Sequence, residues 1–135
     1  MNQNLMVGLQ IVIALGLLNV WVVRLKKSTA FRGGEASNLR EEFQVYGLPV
    51  WFFYLIGGLK VGSAFCLLAG LFVPGVVQPA AAMVVALMLG ALIMHAKVKD
   101  PFLKFVPAAL MLLMSASLLA LSFSQVVLIE AVPLQ

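Results

Sequence analysis

Charge is scarce in this chain. Of its 135 residues, 9 are Lys or Arg and 5 are Asp or Glu, 10% in all, whereas about a quarter of the residues of a soluble domain are charged. A solvated globular surface is therefore excluded. Cysteine occurs once, at Cys66, which rules out an intramolecular disulfide and any CxxC redox pair. Histidine also occurs once, at His95, so paired-histidine haem ligation is out, and no His, Cys, Asp or Glu cluster with metal-ligand spacing accompanies it. No metal site and no self-contained catalytic centre are expected. The first apolar stretch lacks a carboxylate, which counts against a small proton-coupled transporter that would need an ionisable group within its first helix.

What is present is apolar: 63% of the chain is hydrophobic and its mean hydropathy is +1.08. Four segments carry this, Leu5 to Val23, Val50 to Val73, Pro79 to Ala96 and Phe105 to Ile129. Each is long enough to cross a hydrocarbon core of about 30 Å at about 1.5 Å per helical residue. The first shows no basic n-region and no small-x-small cleavage pattern before Arg24, so it reads as a retained helix. The expectation is one domain over residues 1–135, an all-α bundle of four transmembrane helices.

The charges set its orientation. Arg24, Lys26, Lys27, Arg32 and Arg40 follow the first segment, and Lys97, Lys99 and Lys104 follow the third; residues 74–78 and those before Leu5 carry no charge. Both charged connections should face the cytoplasm and both termini the other side. The formal charge of +4 then belongs to topology and contact with the lipid bilayer rather than to nucleic acid.

Within the long connection, Asn38 followed by Glu41 has the form of a helix N-cap and capping-box acid. Leu39, Phe43 and Tyr46 share one face opposite Arg40, Glu41 and Gln44, which predicts a short interfacial helix between the first and second spans. Gly47-Leu48-Pro49 ends it. Trp21, Trp51 and Tyr54 stand where aromatic anchors are expected.

Lys60 is the one formal charge between Pro49 and Lys97. At the middle of a span a charge costs about 2.5 to 3.5 kcal/mol on insertion scales, so it needs a partner, a wet cavity or a route to the interface. Its side chain leans back towards the helix N-terminus, the charged side. Glu42 or Glu41 is the expected countercharge, with Tyr46, Tyr54, Ser63 and His95 as further polar groups of one pocket. Gly58, Gly62, Cys66 and Gly70 recur every fourth residue as a close-packing seam, within the bundle or in a homodimer. The methionines read as adaptable packing, and the serines of the last span as returning hydrogen bonds to their own helix.

Lys27 to Arg32, Phe43-x-x-Tyr46-Gly47-Leu48-Pro49-x-Trp51, Ile56-Gly57-Gly58-Leu59-Lys60-Val61-Gly62 and Gly90-Ala91-Leu92-Ile93-Met94-His95 occur in the order in which the chain resembles the DoxX-like family of small four-helix membrane proteins. The resemblance implies the four-helix scaffold and a bacterial inner membrane. The roles it implies diverge: quinone-linked sulfur oxidation, oxidative-stress complexes and, in distant animal relatives, receptor chaperoning. The expected function is an inner-membrane accessory protein that binds a lipophilic ligand or other membrane proteins, with quinone or lipid as the bound molecule. The alternative is a membrane subunit of a quinone-coupled oxidoreductase.

Overall fold

The computed structural model describes residues 2–131; the termini themselves, expected on the non-cytoplasmic side, lie outside the described residues. Helix α1 (Asn2–Leu18) continues into a π-helical turn, Asn19–Val23; α2 is Leu39–Val45, α3 Val50–Ala69, α4 Val77–Lys97 and α5 Phe102–Ala131. Among the described residues there is no strand. Four helices are long and apolar enough to cross a membrane: α1 with its π turn, α3, α4 with the short 3-10 turn Pro74–Val76 before it, and α5. The chain is a multi-pass membrane protein with a helical bundle.

Helix α1 packs between α3 and α5, and α4 closes the ring by packing on the same two neighbours. Ile13, Leu67, Val84 and Leu118, one from each helix, are fully buried at the centre. Phe65, Phe72, Leu113 and Leu128 are among the large apolar side chains on the outside. That is the inversion a bilayer permits, because lipid is as apolar as the core. The second span ends at Ala69, short of the expected Val73, because Gly70 caps it and the chain turns before Pro74. Ser115, Ser117, Ser122 and Ser124 each donate to a carbonyl of their own helix, three or four residues back.

The long connection folds as a strap with α2 at its end. Asn38 Oδ1 accepts from the Glu41 amide at 2.9 Å, an ordinary N-cap. The Glu41 carboxylate reaches Ser37, taking its N–H at 2.9 Å and its hydroxyl at 2.6 Å, one residue beyond the capping-box position. Glu41 is exposed, and the Ser37 hydroxyl and amide hold its carboxyl below the usual range. Leu39, Phe43 and Tyr46 are buried as the periodicity predicts. With Trp21 and Phe53, Phe43 forms an aromatic cluster, its ring centroid 5.8 Å from Trp21 and 5.3 Å from Phe53.

Trp21 is inside this cluster, not an outward anchor, whereas Trp51 and Tyr54 are exposed. The π turn contributes: Arg24 N–H donates to Asn19 C=O, five residues back, and one wider turn re-aims the side chains that follow. Trp21 can lie against α3 because residue 57 is Gly; a Cβ there would stand 2.6 Å from the indole. A Cβ at Gly58 or Gly62 would meet nothing within 4 Å beyond their own helix backbone and chain neighbours. Gly70 does pack, on Val77 and Gln10, while Cys66 is exposed.

Candidate functional site

A buried ionic network joins the strap, α2, α4 and the α4–α5 link at one end of the bundle. Its first centre is Arg32, a buried guanidinium that donates to the carbonyls of Arg24 at 2.5 Å and Lys27 at 3.2 Å and to Glu42 Oε2 at 3.4 Å. The turn of 24–32 thus folds around its own arginine. Glu42 Oε1 accepts from the Tyr46 hydroxyl at 2.6 Å, one helical turn on. Burial, then the charge and hydrogen bond of Glu42, push the Tyr46 phenol well above its ordinary pKa.

The second centre is Asp100. Beyond the end of α4, Lys99 takes the left-handed region, φ 57°, and Asp100 N–H returns to His95 C=O at 3.0 Å while Lys99 N–H returns to Ala96 C=O at 3.1 Å. This is the Schellman arrangement, and it brings the Asp100 carboxylate under His95: Oδ2 lies 2.7 Å from His95 Nδ1. Oδ1 accepts from the Gly34 amide at 2.9 Å, and Lys104 Nζ lies 3.8 Å away while also donating to Gly34 C=O. Burial works against the charged carboxylate, but the bonds to His95 and Gly34 and the Lys104 charge outweigh it and hold Asp100 below its ordinary pKa. Tyr46 Oη lies 3.4 Å and 3.5 Å from the two ring nitrogens of His95 and so stands between the two centres. Lys97 donates to Tyr46 C=O at 2.7 Å. Gly33 admits the strap across the Tyr46 ring, since a Cβ there would meet Cε1 at 2.5 Å.

Beneath this roof lies a cavity of about 290 Å³. Its charged end is lined by Arg24, Arg32, Glu42, Lys60, His95 and Lys104, and its other walls by Trp21, Met88, Ala108, Met111 and their neighbours. Lys60 Nζ stands 5.4 Å from the centroid of the Trp21 ring, within cation–π range. Among the described residues it makes no hydrogen bond or ion pair, and the buried Trp21 Nε1–H has no acceptor.

Of the residues singled out from sequence, Glu42, Lys60 and His95 face this cavity and Tyr46 braces two of them. Ser63 is buried on α3 outside the lining, Tyr54 is on the outer surface, and Glu41 points away to cap α2. Arg32, Asp100 and Lys104 complete the network without a local signal that marks them. The one cue is Asp100, a lone acid in the basic link after His95. Among the described residues no three His, Cys, Asp or Glu side chains converge as metal ligands. The arrangement can hold a polar head and an apolar body together.

Comparison with curated proteins and with solved structures gives no match. The family model that matches, over residues 9–117, is that of the DoxX-like family.

Proposed function

The chain belongs to the DoxX-like family, and from that premise we propose that it is an accessory protein of the bacterial inner membrane that binds a small lipophilic molecule in the cavity under the strap. The observation that carries the reading is the cavity itself, apolar along α1, α4 and α5 and lined at one end by Lys60, Glu42 and His95. Ligand sites commonly combine an apolar lining with a few convergent polar groups. In this reading the strap and the α4–α5 link are cytoplasmic, α2 lies at the interface, and both termini are on the far side. A homodimer would use the Gly58, Gly62 and Cys66 face of α3, which is open within one copy.

The second reading, a membrane subunit of a quinone-coupled oxidoreductase, draws on the His95–Asp100 pair at 2.7 Å beside the cavity. Such a pair could hold a quinone oxygen and exchange a proton with it, the electrons coming from another protein. Extraction of protein purified in lipid nanodiscs, followed by mass spectrometry, tests the binding reading. A lipophilic compound enriched over the surrounding lipid should be lost from Ala91→Phe, which fills the cavity wall. Identical extracts from both proteins would overturn it, and an enriched quinone would favour the second reading.

A further inference from the structure

We propose that the cavity is selective for a single-chain amphipathic monoanion, a medium-chain carboxylate whose head pairs with Lys60 and whose chain lies along Gly16 and Met111. The proposal rests on the lipophilic-ligand reading above and names the chemical class of that ligand.

Of the cations around the roof, three have polar partners, and Arg24, which also lines the cavity, is exposed. Arg32 has Glu42 at 3.4 Å, Lys104 has Asp100 at 3.8 Å, and Lys97 has the Tyr46 carbonyl at 2.7 Å. Glu42 also lines the cavity, but Arg32 and the Tyr46 hydroxyl already occupy its oxygens. Lys60 is left over. Its ammonium faces the cavity from α3 beside the Trp21 ring, and although the charge of Glu42 reaches it the two make no hydrogen bond or ion pair. An ammonium in a site of low dielectric requires an anion or must shed its proton. The adjoining indole N–H is buried without an acceptor, so this wall presents two donors and, among the described residues, no acceptor for either.

Lys60 is the one cation of the cavity that is neither exposed nor given a polar partner, so it calls for one negative charge at its own end, and a carboxylate supplies it with acceptor oxygens to spare. A cavity of about 290 Å³ falls at the small end of the range for ligand sites, about 300 to 1,000 Å³, so it suits one chain and not a diacyl lipid. Met88 and Met111, unbranched and flexible, line the apolar part and can adjust to a chain.

The test uses full-length Trp51→Phe protein in nanodiscs, which leaves Trp21 as the one tryptophan. A bromine-terminated medium-chain carboxylate is titrated as quencher of Trp21 fluorescence, in parallel with the matching brominated alcohol. The expected result is saturable quenching by the carboxylate, displaced by the unbrominated acid, at an affinity at least about tenfold above the alcohol's, which corresponds to about 1.4 kcal/mol. Lys60→Met should abolish that preference and Lys60→Arg should keep it. Equal affinity for carboxylate and alcohol in the parent protein, or a preference that survives Lys60→Met, would overturn the assignment of charge while leaving lipophilic binding in place. Absence of saturable quenching by either probe would overturn both.

Discussion

Replacing Glu42 by Gln removes the single negative charge facing Arg32 while preserving side-chain shape and an acceptor for Tyr46. The two side chains are 5% and 10% exposed and their atoms 3.4 Å apart, which at an effective dielectric of about 20 gives a gross attraction of about 5 kcal/mol. In the variant the guanidinium keeps the carbonyls of Arg24 and Lys27, which offset part of the loss. The Tyr46 hydrogen bond changes from charge-assisted to neutral, a further loss of about 1 kcal/mol. Removing one partner of a buried pair costs about 3 to 5 kcal/mol, and the expected destabilisation falls in that range. The assay is reversible unfolding in mixed micelles read by Trp21 fluorescence, with Trp51, 66% exposed, replaced by Phe. Arg32→Met on top of Glu42→Gln should recover stability, because the unpaired charge is then gone. The reasoning fails if Glu42→Gln lies within about 1 kcal/mol of the parent, or if the two substitutions add to within about 0.5 kcal/mol as independent sites do.

Gly57→Ala should destabilise the bundle by about 1 to 3 kcal/mol through overpacking on Trp21, whereas Gly58→Ala should be tolerated; equal effects would contradict the contact with the indole. Oxidation in native membranes should cross-link Cys66 if α3 meets a second copy, and Gly58→Leu should suppress the product; no cross-link at any oxidant level would leave that face to lipid. Asp100 has a depressed folded pKa, so its stabilisation is present above its ordinary value of 3.8 and is lost as pH falls below it. Asp100→Asn should therefore lower stability at neutral pH and flatten the acid limb of a stability–pH curve, and an unchanged limb would refute this. Tyr46 has a raised folded pKa, so its contribution is full below its ordinary value of 10.0 and is lost as pH rises above it. Tyr46→Phe should leave tyrosinate absorbance near pH 10 unaltered in folded protein; a reduced absorbance would show that Tyr46 ionises there.

The spans were legible because hydrocarbon imposes length and apolarity together, and α2 because Asn38 and the Leu39, Phe43, Tyr46 spacing agree on one helix. Which of Glu41 and Glu42 turns inward was not, and the inward one pairs with Arg32 rather than with Lys60. The two acids are adjacent, and the cap that takes Glu41 to Ser37 leaves Glu42 on the side of Leu39 and Tyr46. The inward face of α3 was hidden for a different reason. Inside and outside are equally apolar in a membrane, so small residues at 57, 58 and 62 do not declare which one meets another helix. Trp21 makes that distinction from a segment distant in sequence, as Asp100 does for Gly34 across 66 positions. Such contacts have no periodicity to read.

The anchoring of the strap also has a consequence for biogenesis. Its holdfasts, Lys97, Asp100 and Lys104, are translated long after the strap itself. Residues 24–37 must therefore wait, unfastened at their far side, until the third span, the link after it and the first turn of α5 have been made. Closure of the roof is a record that synthesis and insertion have passed that point. A chain stalled before then would carry an open chamber and a strap available to quality-control proteases.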